Sequence, residues 1–325
     1  MPDNPAQRRN DATPQGKVLN LGTRGSALAL AQADMTTAAL EAAIPGIQVV
    51  RHIIVSTGDA RPDLKLSEFQ GVLDKGIFTK ELEIALESKQ IDFAVHSLKD
   101  VPTELDDQFK ITATLERAET ADILIFADPD LKTLKDLPNG ATVATSSVRR
   151  KRLLLHQRPD LRVIDIRGNV PTRLTKVKNQ HEGAAATLLA KAGLLRLGIL
   201  VDGKLTHGGA ELSYQELDEQ TFPPAAGQGA VGIEIRSDDS ETEQLLQKIN
   251  HPETNRRVTA ERALLAELKA GCQTPIGINT KLEGDQIEMR ALIFPEENEA
   301  APPKEARATG TDPIQIARDL LASLT

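Results

Sequence analysis

The 325-residue chain has no tryptophan, one tyrosine and one cysteine, and each scarcity excludes something. Cys272 alone can form neither an intrachain disulfide nor a cysteine-clustered metal site. With so few large aromatics, platforms for stacking nucleobases are scarce, and a net charge of -8 repels a polyanion. No apolar run reaches the length of a membrane span, and no HExxH, Walker or zinc-finger spacing occurs. The first sixteen residues, MPDNPAQRRNDATPQG, are polar and proline-bearing, without the apolar h-region of a secretory signal or a long Arg/Ser-rich amphipathic pattern. They read as a disordered tail on a cytoplasmic protein. The remaining composition, 40% hydrophobic and 26% charged, is that of an ordinary globular protein with room for two or three domains.

The charge is unevenly placed. Between Thr145 and Lys178 ten lysines and arginines stand against Asp160 and Asp165 alone. An acidic protein that gathers its positive charge in one stretch is expected to have built an anion site there, and several small carboxylates fit it better than a nucleic acid.

Along the chain, a strand at 17–21 runs into Thr23-Arg24-Gly25-Ser26 and an alanine- and leucine-rich helix, 27–39. Free backbone N–H groups and the positive helix end would face an anion there, although Ser26 is equally explained as a plain N-cap. A second strand, 47–55, precedes a weakly periodic segment, 60–76, that reads as a mobile loop covering a site. Phe78, Leu82, Ala85 and Leu86 mark a helix face. The strand from Ile91 to His96, which Pro102 terminates, delivers Ser97, Lys99 and Asp100 to its C-terminal end, where open α/β sheets bind ligands. From Thr142 the layout repeats: strand, Thr145-Ser146-Ser147, then a helix, 148–156, carrying Arg149 and Arg150. Arg167, Arg173 and Arg196 then recur where successive strands end, at 161–166 and 185–189. The polar segment 201–220 reads as a surface insertion. Phe222 to Gly229 suits a hinge, with a strand at 230–235 after it. A helix at 254–270 ends at Gly271, a normal C′ glycine, and the chain closes on Asp312-Pro313 and an amphipathic helix, 314–324.

A lone cysteine is most often a small buried hydrophobe. Cys272 instead follows a helix end on a flexible turn, from which a thiol can be offered to a cleft and hold something covalently. The residues alone leave two classes open: an enzyme, and a non-enzymatic two-lobed anion-binding protein, which would need the arginines and the hinge but neither Asp100 nor Cys272.

Eight runs carry a closer resemblance: TRGSALALAQ (23–32), KGIFTKELEIAL (75–86), DFAVHSLKDVPTEL (92–105), TSSVRRKRLL (145–154), RGNVPTRLTK (167–176), AGLLRLG (192–198), PAAGQGAVGIE (224–234) and NRRVTAERALLAELKAGCQTPIG (255–277). In content and order the chain resembles the porphobilinogen deaminases, also called hydroxymethylbilane synthases. The resemblance implies an α/β fold of three domains. The first two are similar to type II periplasmic binding proteins, with mixed sheets flanked by helices, and the third is a small α+β domain. The implied boundaries are 17–118 with 226–247 for domain 1, 119–225 for domain 2 and 248–325 for domain 3.

It implies a transferase of tetrapyrrole and heme biosynthesis that deaminates four porphobilinogen molecules, joins them head to tail on a dipyrromethane cofactor, and releases the linear product with water. The cofactor is implied to sit on Cys272 through a thioether, and Asp100 is the implied catalytic residue. Arg24, Ser26, Gln32, Ser97, Lys99, Thr145, Ser146, Ser147, Arg149, Arg150, Arg167, Arg173, Arg196 and Gln228 carry over as carboxylate-binding positions. A cytoplasmic monomer, without metal, nucleic acid or membrane, is expected. The chain departs from the family pattern at Leu73-Asp74, where the family has two glycines before Lys75-Gly76. It also departs at Thr120-Ala121, which lacks the basic residue often found before Asp122. The 201–220 insertion and the last fifty residues match only loosely.

Overall fold

In the computed structural model the residues described are 16–55, 79–270, 274–295 and 301–324. The expected covering loop at 60–76, Ser56-Thr57-Gly58-Asp59, Phe78 and Cys272 lie outside them.

Two five-stranded sheets share one plan. The first uses β1 (Val18–Thr23), β2 (Gln48–Ile53), β3 (Phe93–Ser97), β4 (Phe109–Thr114) and a late strand, Val231–Arg236, in the order 2-1-3-late-4. β1 runs parallel to β2 and β3, and the late strand lies antiparallel between β3 and β4. The second sheet uses β5 (Asp122–Phe126), β6 (Thr142–Ala144), β7 (Arg162–Ile164), β8 (Ala184–Ala190) and β12 (Tyr214–Glu216), in the order 7-6-8-5-12. Position for position this repeats the first sheet, with β5 as the antiparallel insert. These are the mixed sheets flanked by helices that the resemblance implies. Among the described residues two three-stranded antiparallel sheets remain: a small one of β9 (Leu200–Val201), β10 (Lys204–His207) and β11 (Ala210–Leu212), and a C-terminal meander, Ile276–Glu283, Gln286–Ile293 and Lys304–Gly310, packed under the helices Pro252–Glu267 and Pro313–Ala322.

Local sequence explains the repeat. β3 and β5 are buried on both faces, so they read as continuous apolar runs rather than alternating ones. After β1 and β6 a serine stops the strand and caps a helix. Ser26 Oγ accepts from the Ala29 N–H at the head of Ala27–Ala43, and Ser147 Oγ accepts from the Arg150 N–H at the head of Val148–Gln157.

Two sequence expectations change. Lys99 and Asp100 lie on a 3-10 turn, Leu98–Asp100, that begins directly after β3, so the strand ends before Pro102. The segment 201–220 is no mere surface insertion. It forms the hairpin strands β10 (Lys204–His207) and β11 (Ala210–Leu212), which pair with each other, and then β12. Leu205 and Leu212 pack with Ile123, Ile125 and Leu174 in the second lobe's core. Three leucines in a polar background are too few for a periodic signal, which is why the sequence conceals this.

The two lobes are joined by segments 115–121 and 222–230, which run side by side. Leu115 N–H donates to the Val231 carbonyl and Ala118 N–H to the Gly229 carbonyl. Arg117 Nε donates to the Gln228 carbonyl (2.9 Å) and Gln228 Nε2 to that of Thr120 (2.6 Å). Gly229 has φ +82°, and a Cβ there would lie 2.5 Å from the Ala118 carbonyl oxygen, so this approach requires glycine.

Glu261, fully buried on the Pro252–Glu267 helix, ties this hinge to the C-terminal sheet. It takes both Arg117 Nη atoms (2.6 and 2.9 Å), the Gly227 N–H (2.8 Å) and the Thr280 hydroxyl (2.5 Å). Burial alone would raise its pKa. Arg117 and the hydrogen bonds outweigh that and hold it below its ordinary value. Its stabilising contribution is therefore complete above the unfolded carboxylate's pKa of 4.5 and is lost as pH falls through the lower folded value. Replacing Glu261 by Gln should leave Arg117 buried without a counter-charge and cost about 3–5 kcal/mol in chemical denaturation at neutral pH. The difference from wild type should shrink in acid.

Candidate active site

The turn after β3 is held from three sides. Leu98 N–H donates to the Ala230 carbonyl, and Arg262 donates to the carbonyls of Val101, Pro102 and Thr103. The Thr103 hydroxyl donates to the Ala270 carbonyl (3.0 Å), so the turn that follows the long helix, which ends at Glu267 rather than at 270, is bound beside it. Asp100 is exposed at the tip. Beneath it lies a small cavity of about 70 Å³, lined among others by Arg24, Ser26, Gln32, His96, Ser97 and Asp100. Gln32 and Ser97 fix each other there, Nε2 to Oγ at 2.9 Å.

Across the cleft, Asp122 at the start of β5 is fully buried between two arginines. Arg149 Nη2 reaches Oδ2 at 2.7 Å, and Arg150 reaches Oδ1 with Nη2 at 2.6 Å and Nε at 3.1 Å. Burial pushes the Asp122 carboxyl up, but the two guanidiniums prevail and hold it well below the usual carboxylate range. Gln228 Nε2 donates to the same Oδ1 (3.0 Å), and Lys99 Nζ approaches Gln228 Oε1 at 3.5 Å. Lys99, Gln228, Asp122, Arg149 and Arg150 thus form one network across the hinge.

The basic stretch that the sequence marks as an anion site divides in two. Arg158 chelates Asp160 and holds the carbonyls of Leu134 and Leu137, while Arg152 lies over the Phe294 ring and donates to the Pro295 carbonyl. These two are framework. By contrast, Arg167 and Arg173 make no ion pair among the described residues, and Arg173 donates only to the Gly168 carbonyl (2.8 Å). Arg196 donates from Nη2 to the Gly229 carbonyl (2.7 Å), while its Nε and that of Arg149 are buried without a hydrogen-bond partner.

Three cations register this crowding. Burial, and then Arg150, lower Lys99 to about 8 despite Asp100 and Asp122. Burial lowers Arg173 to about 10, with Arg150 and Arg167 adding to the effect and Asp100 opposing it. Burial also lowers Arg196 to about 10. The site holds more partly desolvated cations than its own carboxylates neutralise, and two of its arginines, Arg149 and Arg196, keep a buried Nε without a hydrogen-bond partner. That donor set suits a group carrying several carboxylates, as a dipyrromethane with acetate and propionate arms does.

The three hydroxyls after β6 are committed to the backbone. Ser146 Oγ bridges the Ile166 carbonyl (2.9 Å) and N–H (3.0 Å), Thr145 Oγ1 accepts from the Ser147 N–H (3.3 Å), and Ser147 is the helix cap. They hold the strand ends in place, with Thr145 buried and both serines half-buried. Sequence reasoning missed Asp122 and Glu261, whose importance comes entirely from arginines distant in the chain. It also took His96 as no more than the last residue of its strand.

Comparisons with known proteins identify the family. The family model described as porphobilinogen deaminase, dipyromethane cofactor binding domain, matches residues 19–244, and that of the porphobilinogen deaminase C-terminal domain matches 255–325. The porphobilinogen deaminase of Rubrobacter xylanophilus is 41% identical over 308 residues, covering 94% of this chain and 93% of its own. That of Shouchella clausii is 45% identical over 275 residues, covering 84% and 83%. Among solved structures, the periplasmic VFT2 domain of Bordetella pertussis BvgS aligns with 75% of this chain and 93% of its own, at 15% identity and a TM-score of 0.41. The chain belongs to the porphobilinogen deaminase family.

Proposed function

We propose that the chain is a hydroxymethylbilane synthase whose working groups are Asp100 and the cations that face it across the hinge. The observation that carries this reading is the exposed Asp100 carboxylate, at the mouth of a cavity and within the field of Lys99 and Arg173, two cations of the opposing lobes. Bound through a thioether to Cys272, a dipyrromethane supplies a covalently held primer on which substrate units are assembled.

Porphobilinogen brings an acetate and a propionate into the cleft. Arg167, Arg173 and Arg196 take them with groups that the described fold leaves without carboxylate partners, each charge-assisted contact contributing about 1.5–3 kcal/mol. Arg24, Ser26, Gln32 and Ser97 line the cavity below and orient the pyrrole ring. Arg149 and Arg150, with Lys99 and Gln228, are already bound to one another through Asp122 and present a preorganised cationic wall. When ammonia leaves the substrate, the positive charge spreads over the pyrrole. The Asp100 carboxylate stabilises that charge and accepts the pyrrole N–H. Water releases the finished tetrapyrrole.

We read the protein as a cytoplasmic monomer that needs neither nucleic acid nor membrane, which its acidic charge supports. We divide it at 17–118 with 226–247, 119–225 and 248–325, a division that the strand order supports.

Three measurements test this reading. The intact mass of the purified protein should exceed the sequence by two linked pyrrole units, and Cys272→Ser should lose that excess. Asp100→Asn, confirmed by mass to carry the primer, should bind porphobilinogen yet turn over about 10²–10³-fold more slowly in single-turnover kinetics. Asp100→Glu, which keeps the charge but displaces it by one methylene, should retain more of the rate.

The third test concerns protons. Lys99 is lowered from 10.5 to about 8, so it is charged below about 8, where the cost of burying that charge is borne in full, and the cost fades as pH rises through that value. Incoming carboxylates shift it back up. Porphobilinogen binding to Asp100→Asn should therefore take up protons at a pH between about 8 and 10.5. Uptake should vanish near pH 6 and in the Asp100→Asn, Lys99→Met double variant, as read by calorimetry in buffers of different ionisation enthalpy.

A further inference from the structure

The cavity beneath Asp100 has a second ionisable group in its wall. His96 lies on β3 three residues before the Lys99-Asp100 pair and is almost fully buried, yet it lines the same cavity as Asp100, Arg24 and Ser97. Its Nε2 is 2.7 Å from Oε2 of Glu234, a fully buried carboxylate on the late strand Val231–Arg236. The strand register explains the pair. Gly232 stands directly opposite His96 and has no side chain, so the imidazole reaches diagonally to Glu234, which itself stands opposite Ala94. Among the described residues no partner engages His96 Nδ1. Glu234 Oε1 is buried without a hydrogen bond. Glu83, on the helix Lys80–Glu87, lies within the field of both His96 and Glu234, and burial raises its pKa. It is tied by the Thr79 hydroxyl (2.9 Å), and Thr79 again lines the cavity.

Nothing in this arrangement stabilises the fold in a way that an apolar pair could not. A histidine in a cavity wall, backed by a buried carboxylate and with its other nitrogen unengaged among the described residues, has the arrangement of an oriented base. The reaction has use for one. Each condensation forms a C–C bond between the substrate methylene and a pyrrole α-carbon, and that carbon must then lose its proton to restore the aromatic ring. Asp100 has to remain ionised to stabilise the cation of the same cycle, so a carboxylate that kept the proton would lose its electrostatic role.

We propose that His96, oriented by Glu234, is the proton acceptor of the condensation step. The α-C–H bond breaks, its electron pair returns to the ring, and the proton passes to His96 Nδ1 directly or through one water in the cavity, which at about 70 Å³ has room for it. Glu234 accepts from Nε2–H throughout and balances the imidazolium. The proton then leaves to solvent before the next unit enters, so no net charge is stored. His96 is thus assigned the proton and Asp100 the cation.

This rests on the deaminase reading, which wild-type turnover of porphobilinogen tests separately. The discriminating probe is porphobilinogen deuterated at its free α-carbon, the position that loses a proton when the next unit is added. In primer-loaded His96→Gln, condensation should slow about 10²-fold or more, and the deuterium isotope effect should rise above that of wild type because C–H cleavage becomes limiting. Glu234→Gln should move both quantities in the same direction. A slowed His96→Gln enzyme with an unchanged isotope effect would assign the pair to structure alone, and an unchanged rate would remove it from the reaction. Nitrogen-15 NMR of His96 in the wild-type holoenzyme at neutral pH decides even if the variants fail to fold. The proposal requires hydrogen on Nε2 and a bare Nδ1, and hydrogen on Nδ1 overturns it.

Discussion

Two buried carboxylates, Glu261 and Asp122, govern how the lobes of this protein meet. Each lies in the interior on one side of the paired hinge segments, and neither could be there without its arginines, because an unpaired buried charge costs several kcal/mol. Glu261 takes Arg117 and the Gly227 N–H, while Asp122 takes Arg149, Arg150 and Gln228. Gln228, between them in sequence, accepts Arg117 on its carbonyl and gives its amide to Thr120. The result is a continuous polar seam in which every element that enters or leaves a lobe is bound to its neighbour. Its charges are nearly balanced, so the seam can be both buried and durable.

The working cleft follows the opposite rule. Lys99, Arg173 and Arg196 are partly desolvated without enough counter-charge, and burial depresses the pKa of each. The protein thus uses arginine in two ways. Those whose forks meet Asp122 or Asp160 hold the scaffold, whereas Arg173 and Arg196 have no carboxylate partner among the described residues. Counting basic residues along the chain cannot separate these classes, since Arg158 and Arg173 belong to the same run and differ only in what the fold brings to them.

Much of the fold was legible in the sequence wherever the signal is local. The serine caps at Ser26 and Ser147, the strand into Asp100, the helix around Arg173 and the doubled strand-turn-helix layout are set by residues within a few positions of one another. What was hidden depends on distant pairing. The hairpin within 201–220 is visible only once Leu205 and Leu212 find the core beside Ile123 and Leu174, and the C-terminal sheet is implied only by the resemblance to an α+β domain, since no individual strand of it was read from the residues. At the site, Asp100 and the arginines could be read from motif and position. The commitment of Thr145, Ser146 and Ser147 to the backbone could not, because a hydroxyl after a strand looks the same whether it faces a ligand or Ile166. His96 and Glu234 are 138 residues apart and become a pair only through the strand register.

The placement of the Val231–Arg236 strand in the first sheet bears on how the chain comes to be folded. The second sheet is drawn wholly from residues 122–216, whereas the first lacks its fourth strand until residue 236 has been made. On a ribosome, which releases the chain from its N-terminus, the middle lobe has all its strands before the lobe that precedes it. Until then β3 and β4 stand apart, with the apolar faces around Phe93 and Ala113 incompletely covered. The long sequence separation of this pairing makes its closure entropically slow. The N-terminal lobe, which carries Asp100, is thus the last of the two to be completed, and it is completed by the same segment that brings Gln228 and Glu234 to their partners.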